Sequence, residues 1–193
     1  VERPPESDIL LRDVTEDDLV IFFEQQQDPV ANRMAAFTGK DPNDWAAFAA
    51  KWAKILGDRT VKAKTIVCGG LVAGTISTFI APWSGQCEIT YWIGREYWGR
   101  GMATKALAEF VGQLAERPLQ ARAAADNLAS IRVLEKCGFI RIGRDTGFAE
   151  ARGEEIEEVV LELRAAAQQP VLGATLGPVA QNCANQENPC STT

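Results

Sequence analysis

Apolar and polar positions recur along this chain in two periods, and their succession predicts its elements. "ILLRD" (Ile9–Asp13) reads as a first strand. "VTEDDLVIFFEQQ" follows, with Thr15 placed to cap a helix, acids in its first turn, and Leu19, Phe22 and Phe23 facing inward. A second helix is expected to start at Asp41-Pro42, an N-cap followed by proline at the first helical position. Trp45, Phe48, Ala49, Trp52, Ile55 and Leu56 then recur at helical spacing, a stripe that assigns Trp45 and Trp52 to the core.

"KTIVCGGLVAGTISTFIA" is two β-rich runs around Gly69-Gly70, a hairpin signal. A turn over Pro82–Gly85 leads into the strand "CEITYWIG". A helix from about Met102 carries Met102, Ala106, Leu107, Phe110, Val111 and Leu114 on one side. Pro118 is expected to end it, because the residue before proline is pushed out of the α conformation. "LQARAAA" is a short strand, and "NLASIRVLEKCGF" is a helix from Asn127 with Gly138 as its left-handed stop. Two last β-runs, "FIRIGRDTGFAE" and "IEEVVLEL", flank a turn at Arg152-Gly153. The order β α α β β β α β α β β predicts an α/β (α+β) fold with one mixed sheet of about seven strands. Aromatic residues and nearly all charge vanish from Ala165 onward. The expected division is one domain over 1–164 and a poorly ordered tail over 165–193.

Composition narrows the chemistry. The chain has 193 residues and no histidine, which excludes Ser-His-Asp and Cys-His catalysis and every histidine-containing metal site. No metal ligand set is expected. Five scattered cysteines without a C-x-x-C pair read as reduced thiols, and Cys137 in "EKCGF" as packing. A net charge of −6 argues against nucleic acid as a partner, and no apolar run has the length of a membrane span. The acidic, Pro-rich start "VERPPESD" is unlike a signal peptide, so a cytoplasmic protein, monomeric or homodimeric, is expected.

"REYWGRGMATKALAEF" opens a helix with two glycines, which are poor helix formers. A strand feeding a helix through such a turn offers backbone N–H groups and the positive helix end to an anion, and glycine lets that anion come close. Arg100 and Lys105 could add charge nearby. A Walker A loop is absent, and G-R-G-M-A-T fails the dinucleotide fingerprint at its last position. A helix start that merely needed small residues stays open on spacing alone.

"EITYWIGREYWGRGMATKALAEF", followed by "ADNLASIRVLEKCGFIRIGR", resembles the GNAT superfamily of acyl-CoA-dependent N-acetyltransferases, especially its ribosomal-protein N-terminal acetyltransferase branch. The likeness runs from about Ile9 to Leu163. The family's Q/R-x-x-G-x-G/A loop falls on Trp98-Gly99-Arg100-Gly101-Met102-Ala103, with Thr104 next in the helix. Trp98 departs from the family's Gln or Arg, at a position where contacts to pyrophosphate run largely through backbone amides. The resemblance implies acetyl-CoA as cosubstrate, its pyrophosphate at this loop. It implies a GNAT-like, mostly antiparallel sheet with a splayed strand pair holding the acyl-CoA, whose pantetheine would pair with the backbone of Trp92, Ile93 and Gly94. Asn127 would contact the pantetheine, or serve as a plain N-cap, or both.

Direct transfer to an amine needs a base, an oxyanion donor and a donor for the departing thiolate. Strand alternation places Glu88, Thr90 and Trp92 on one face. Glu88 is the expected base; its alternative is a strand-end charge in water. A backbone N–H near Ile93 would meet the oxyanion. Ser130, one turn into the late helix, is the expected acid; its alternative is a bond within its own helix. No tyrosine follows that helix, and Tyr91 and Tyr97 lie on the other side of the loop. Glu24 and Asp28 are weaker candidates for recognising a cationic acceptor, either a protein N-terminus or a small molecule such as a polyamine or aminoglycoside. A non-catalytic acyl-CoA-binding module is the alternative function, and a generic nucleotide-phosphate binder a third.

Overall fold

The computed structural model describes residues 9–165, so the expected tail lies outside the described residues apart from Ala165. Seven strands form one sheet: β1 (Ile9–Asp13), β2 (Lys62–Cys68), β3 (Leu71–Ile80), β4 (Cys87–Ile93), β5 (Leu119–Ala124), β6 (Ile140–Ala149) and β7 (Glu154–Leu163). Their order across the sheet is β1-β2-β3-β4-β5-β7-β6. Every neighbouring pair is antiparallel except β4 with β5. Five helices join them: α1 (Glu16–Gln26), α2 (Pro29–Ala35), α3 (Trp45–Gly57), α4 (Met102–Gly112) and α5 (Leu128–Lys136).

Local chemistry explains most boundaries. The Asp18 carboxylate reaches back to the Thr15 N–H at 2.8 Å, closing the first turn of α1. Gly69 and Gly70 both take positive φ, as the tight β2–β3 hairpin requires. Gly138, with φ +89°, stops the chain after α5.

Two helix starts differ from expectation. The Asp41 carboxylate accepts from the Asn43 N–H instead of opening a helix, and Asp44 caps α3 by accepting from the Ala47 N–H at 2.9 Å. The other Asp-Pro pair, Asp28-Pro29, opens α2, a helix the apolar pattern did not predict. At its other end, α4 stops at Gly112, ahead of Pro118.

The core divides across the sheet. Met102, Ala106, Leu107, Phe110, Val111 and Leu114 of the α4 segment are buried with Ile131 and Leu134 of α5 on one face. Phe22, Phe48 and Trp52 form a second cluster with Leu19 and Phe23. Val72 and Ala73, successive residues of β3, pack against different clusters, which sets the two on opposite faces. Trp45 does not reach this core: it is 44% exposed, packed edge-on against Phe23 at 5.1 Å. In the first turn of α3 it covers the rim of the aromatic cluster rather than its centre.

Candidate active site

The parallel pair β4–β5 is joined at one register position, Glu88 with Gln120. Beyond it the strands part, and a cleft of about 900 Å³ opens between them. A strand edge left without its neighbour carries backbone groups that need partners. The Gly94 N–H bonds the Ala73 carbonyl of β3 at 2.9 Å, so alternation turns the backbone of Ile93 the other way, toward the cleft. The Ile93 carbonyl is taken there by Trp98 Nε1 at 2.8 Å. That leaves the Ile93 N–H and, two residues earlier, both backbone groups of Tyr91 facing the gap. Trp92 turns its carbonyl toward β3, where a Cβ on Gly74 would overlap it. Its indole Nε1, in the cleft wall, is buried without a hydrogen-bond partner.

The glycine loop stands at the mouth of the same cleft. Gly99 and Gly101 have φ of +74° and +72°, the left-handed region that favours glycine. A Cβ at either would meet nothing within 4 Å, so their bare backbone faces open space. Trp98, Gly99, Gly101, Met102, Ala103 and Thr104 all line the cleft, whereas Gly94 and Arg100 do not. Arg132 and Lys136 of α5 line it too, adding positive charge that the sequence pattern did not single out. An open strand edge and an amide-rich loop with neighbouring cations fit a long ligand ending in phosphates.

Asn127 caps α5 by accepting from the Ser130 N–H at 3.1 Å, and its Nδ2 donates to the Met34 carbonyl, tying α2 to α5. Ser130 does not spend its hydroxyl on its own helix. Its Oγ lies 2.8 Å from the Tyr91 hydroxyl across the cleft, the contact that chain order alone did not reveal. Burial pushes the Tyr91 phenol up to about 12, so it stays protonated at any ordinary assay pH. Cys137 is half-buried, with burial raising its thiol and Sγ directed at the Thr104 carbonyl: a packing role, as expected.

Glu88 sits on the other side of the sheet, buried to 3% exposure, so it is not a charge in water. Its Oε1 accepts from Trp83 Nε1 at 3.1 Å and from Arg122 Nε at 3.2 Å. Arg122 Nη1 holds Asp145 at 2.7 Å and Glu158 at 3.1 Å. Burial raises the carboxyl of Glu158 against the pull of Arg122, and its neighbours Asp145 and Glu88 raise it further. Glu88, Arg122, Glu158, Trp83, Phe79 and Lys51 line this half of the cleft. Glu24 and Asp28 do not: Asp28 caps α2 and pairs with Arg95 at 3.3 Å. Above, Ala36 adopts φ +65° and ψ −56°, a γ-turn of the strained hand closed by the Phe37 N–H on the Ala35 carbonyl. That turn sets Phe37 and Thr38 in the cleft wall.

A seven-stranded sheet that splays at its one parallel pair, with a glycine loop at the opening, is the architecture of the GNAT acetyltransferases. The model of the "Acetyltransferase (GNAT) domain" family matches residues 8–140, and the chain belongs to that family of acetyl-CoA-dependent transferases. An uncharacterized N-acetyltransferase, p20, of Bacillus licheniformis is 27% identical over 84 residues, 42% of this chain and 47% of that protein. The match thus spans about half the length of that relative. Among solved structures, the microcin C7 self-immunity acetyltransferase MccE, in complex with acetyl-CoA and AMP, superposes with a TM-score of 0.70 at 16% identity. That superposition covers 83% of this chain and 94% of MccE. The ribosomal-protein-alanine N-acetyltransferase of Brucella melitensis gives 0.69 at 23% identity, over 81% and 99%. Both share the fold. Among the described residues no helix is long and apolar enough to cross a membrane, and no group of acids and cysteines could hold a metal ion.

Proposed function

We propose that this protein moves the acetyl group of acetyl-CoA to a primary amine by direct attack within a ternary complex. The observation that carries the reading is the splay: one register pair between β4 and β5, then a cleft that runs through the sheet. The cosubstrate enters along the α4–α5 side. Its pyrophosphate meets the amides of the loop from Trp98 to Thr104, and its pantetheine runs beside the open edge of Tyr91 and Ile93. Asn127 holds the start of α5 in place beside it. The acceptor arrives from the opposite face, where Glu88 takes the proton of its ammonium.

The freed amine then attacks the thioester carbonyl carbon. The carbon–nitrogen bond forms as the carbon–sulfur bond breaks, and the Ile93 N–H faces the oxygen on which charge develops. Ser130 is the donor for the departing thiolate, and the proton that the nitrogen still carries after attack is released as the amide forms and replaces the one the serine gives up. With the Tyr91 hydroxyl 2.8 Å from Ser130 Oγ, the phenol can donate to the serine and turn the serine's own proton toward the sulfur. A protein N-terminus and a small-molecule amine are both acceptors of this chemistry.

Thiol release from acetyl-CoA, followed across a panel of primary amines, tests the reading. Turnover with at least one amine is expected. Glu88→Gln should lower it about 10²-fold at neutral pH while leaving acetyl-CoA affinity nearly intact. Equal turnover by the variant across the pH range would remove Glu88 as the base. Acetyl-CoA binding with no turnover on any amine would favour the non-catalytic acyl-CoA-binding module instead.

A further inference from the structure

The acceptor half of the cleft carries more negative charge than its own guanidinium can balance. Glu88 on β4, Arg122 on β5, Glu158 on β7 and Asp145 on β6 lie on four adjacent strands. Register sets Glu158 opposite both Ala124 and Asp145, and all four side chains meet on the sheet face away from α4 and α5. Three carboxylates share one cation, a formal excess of two negative charges. With the Lys51 ammonium of α3 counted, the three carboxylates and two cations carry one net negative charge, Asp145 holding Arg122 from outside the cleft lining.

Glu88 and Glu158 are 3% and 8% exposed, so most of that excess is held away from bulk water. Each turns one oxygen to Arg122; among the described residues Glu88 Oε2 and Glu158 Oε1 accept no hydrogen bond. Neither oxygen is fully enclosed, and both residues line the cleft, so a cation there can join the two open oxygens. The wall beside them is aromatic. Trp83 is 60% exposed, lies under the Arg122 guanidinium at 5.7 Å and meets the Phe79 ring at 6.1 Å.

We propose that Glu158, together with Glu88, forms a seat for the acceptor's ammonium, so that this enzyme selects amines that arrive charged and carry an apolar group against Trp83. This rests on the acetyl-transfer reading and adds the class of acceptor. Glu158 is the specificity-determining member, because Glu88 has the chemical task as well. Arg122 is a positioning residue: it spaces the two carboxylates and keeps one oxygen of each turned away from the cleft. An alkylammonium supplies three N–H donors, enough for both open oxygens. A hydroxyl has one donor and cannot reach both oxygens, and a neutral arylamine, with two, leaves the charge unpaired.

The test compares benzylammonium with benzyl alcohol, two probes of one shape, titrated into the full chain at neutral pH. The indole N–H resonance of Trp83 is the readout. The ammonium is expected to bind about tenfold tighter, the worth of a charge-assisted hydrogen bond over a neutral one. Glu158→Gln should lose most of that preference while binding acetyl-CoA, measured by calorimetry, as the wild type does. Equal binding of the two probes, no response to the ammonium, or a folded Glu158→Gln protein that keeps the full preference overturns the proposal. The wild-type comparison needs no variant, so a misfolded Glu158→Gln cannot rescue the idea. A wild type that prefers the ammonium but ignores acetyl-CoA supports the seat and contradicts the acetyl-transfer reading alone.

Discussion

Tyr91 and Ser130 stand 39 positions apart in the chain, yet their hydroxyl oxygens are 2.8 Å apart. The pattern of β4 already set Tyr91 on the side of Ile89 and Ile93, toward α4 and α5. It could not say that α5 would bring Ser130 to that side, because the meeting depends on how far β4 and β5 part. Tyr91→Phe keeps the ring and removes the partner. It should lower kcat about tenfold with little change in KM for acetyl-CoA, the split expected of a group that acts through the serine late in the reaction. Steady-state kinetics of Tyr91→Phe, Ser130→Ala and the double variant check this: the two losses should not add.

The sequence singled out neither Arg122 nor Glu158. A lone arginine within the small, apolar run "LQARAAA" needs a partner wherever the strand lands, but its partners come from three other strands. Asp18 is the reverse case, a capping acid whose further role the sequence did not reveal. Burial opposes its ionised form, but bonds from Arg12, the Thr15 N–H and the Thr65 hydroxyl outweigh that and hold it well below the usual carboxylate range. Its folded value is depressed, so its contribution is present above the unfolded value, about 3.9, and is lost as pH falls toward the folded one. Asp18→Asn should cost roughly 2–4 kcal/mol at neutral pH and flatten the acid limb of the stability curve. Urea unfolding at a series of pH values measures both.

At the scale of elements, strands and late helices were well predicted and the segment between α1 and α3 was not. Two Asp-Pro pairs offered the same helix-start signal there. Asp41 turned its carboxylate onto the Asn43 amide, and the cap passed to Asp44. Asp28 kept its carboxylate for Val30 and Ala31, and α2 followed. The choice between an Asx-turn and a helix cap is made by what packs next, and α2 packs across the acceptor side of the cleft, tied down by Asn127 and by Arg152 on the Arg33 carbonyl. Such long-range ties leave no local pattern.

The glycine loop and the β3–β4 contact make separable predictions at this scale. Gly101→Val places a branched side chain at φ +72° in the space the phosphates would use. It should weaken acetyl-CoA binding by ~1–3 kcal/mol, measured by calorimetry, through strain and lost backbone approach. Gly74→Ala instead drives a methyl group into the Trp92 carbonyl, with no ligand involved. It should lower unfolding free energy by about 2–4 kcal/mol, and a wild-type melting temperature would contradict the tight β3–β4 approach described here.

Across the whole molecule, the cleft reaches both faces of the sheet, and the proposed reaction sets cosubstrate on one and acceptor on the other. The α4–α5 side presents amides, Arg132 and Lys136; the opposite side presents Glu88 and Glu158, with Arg122 and Lys51 among them, and an aromatic wall. Carboxylates stand on one side only, which suits an anionic donor on the other, and the division arises from strand alternation across β4, β5 and β7. The family was readable because its loop and late helix are contiguous in the chain. The acceptor side was not, since it is assembled from α2, α3, the β3–β4 turn and four strands.

Calorimetric titration of the full chain with acetyl-CoA, coenzyme A, ATP and NAD asks whether the splay and loop hold this cosubstrate. Saturable binding of acetyl-CoA and coenzyme A is predicted, with no comparable heat from ATP or NAD, because pantetheine alone can use the open edge of β4. Binding of ATP or NAD as strong as that of acetyl-CoA, or no binding of acetyl-CoA, would contradict the assignment of the splay and loop to this cosubstrate.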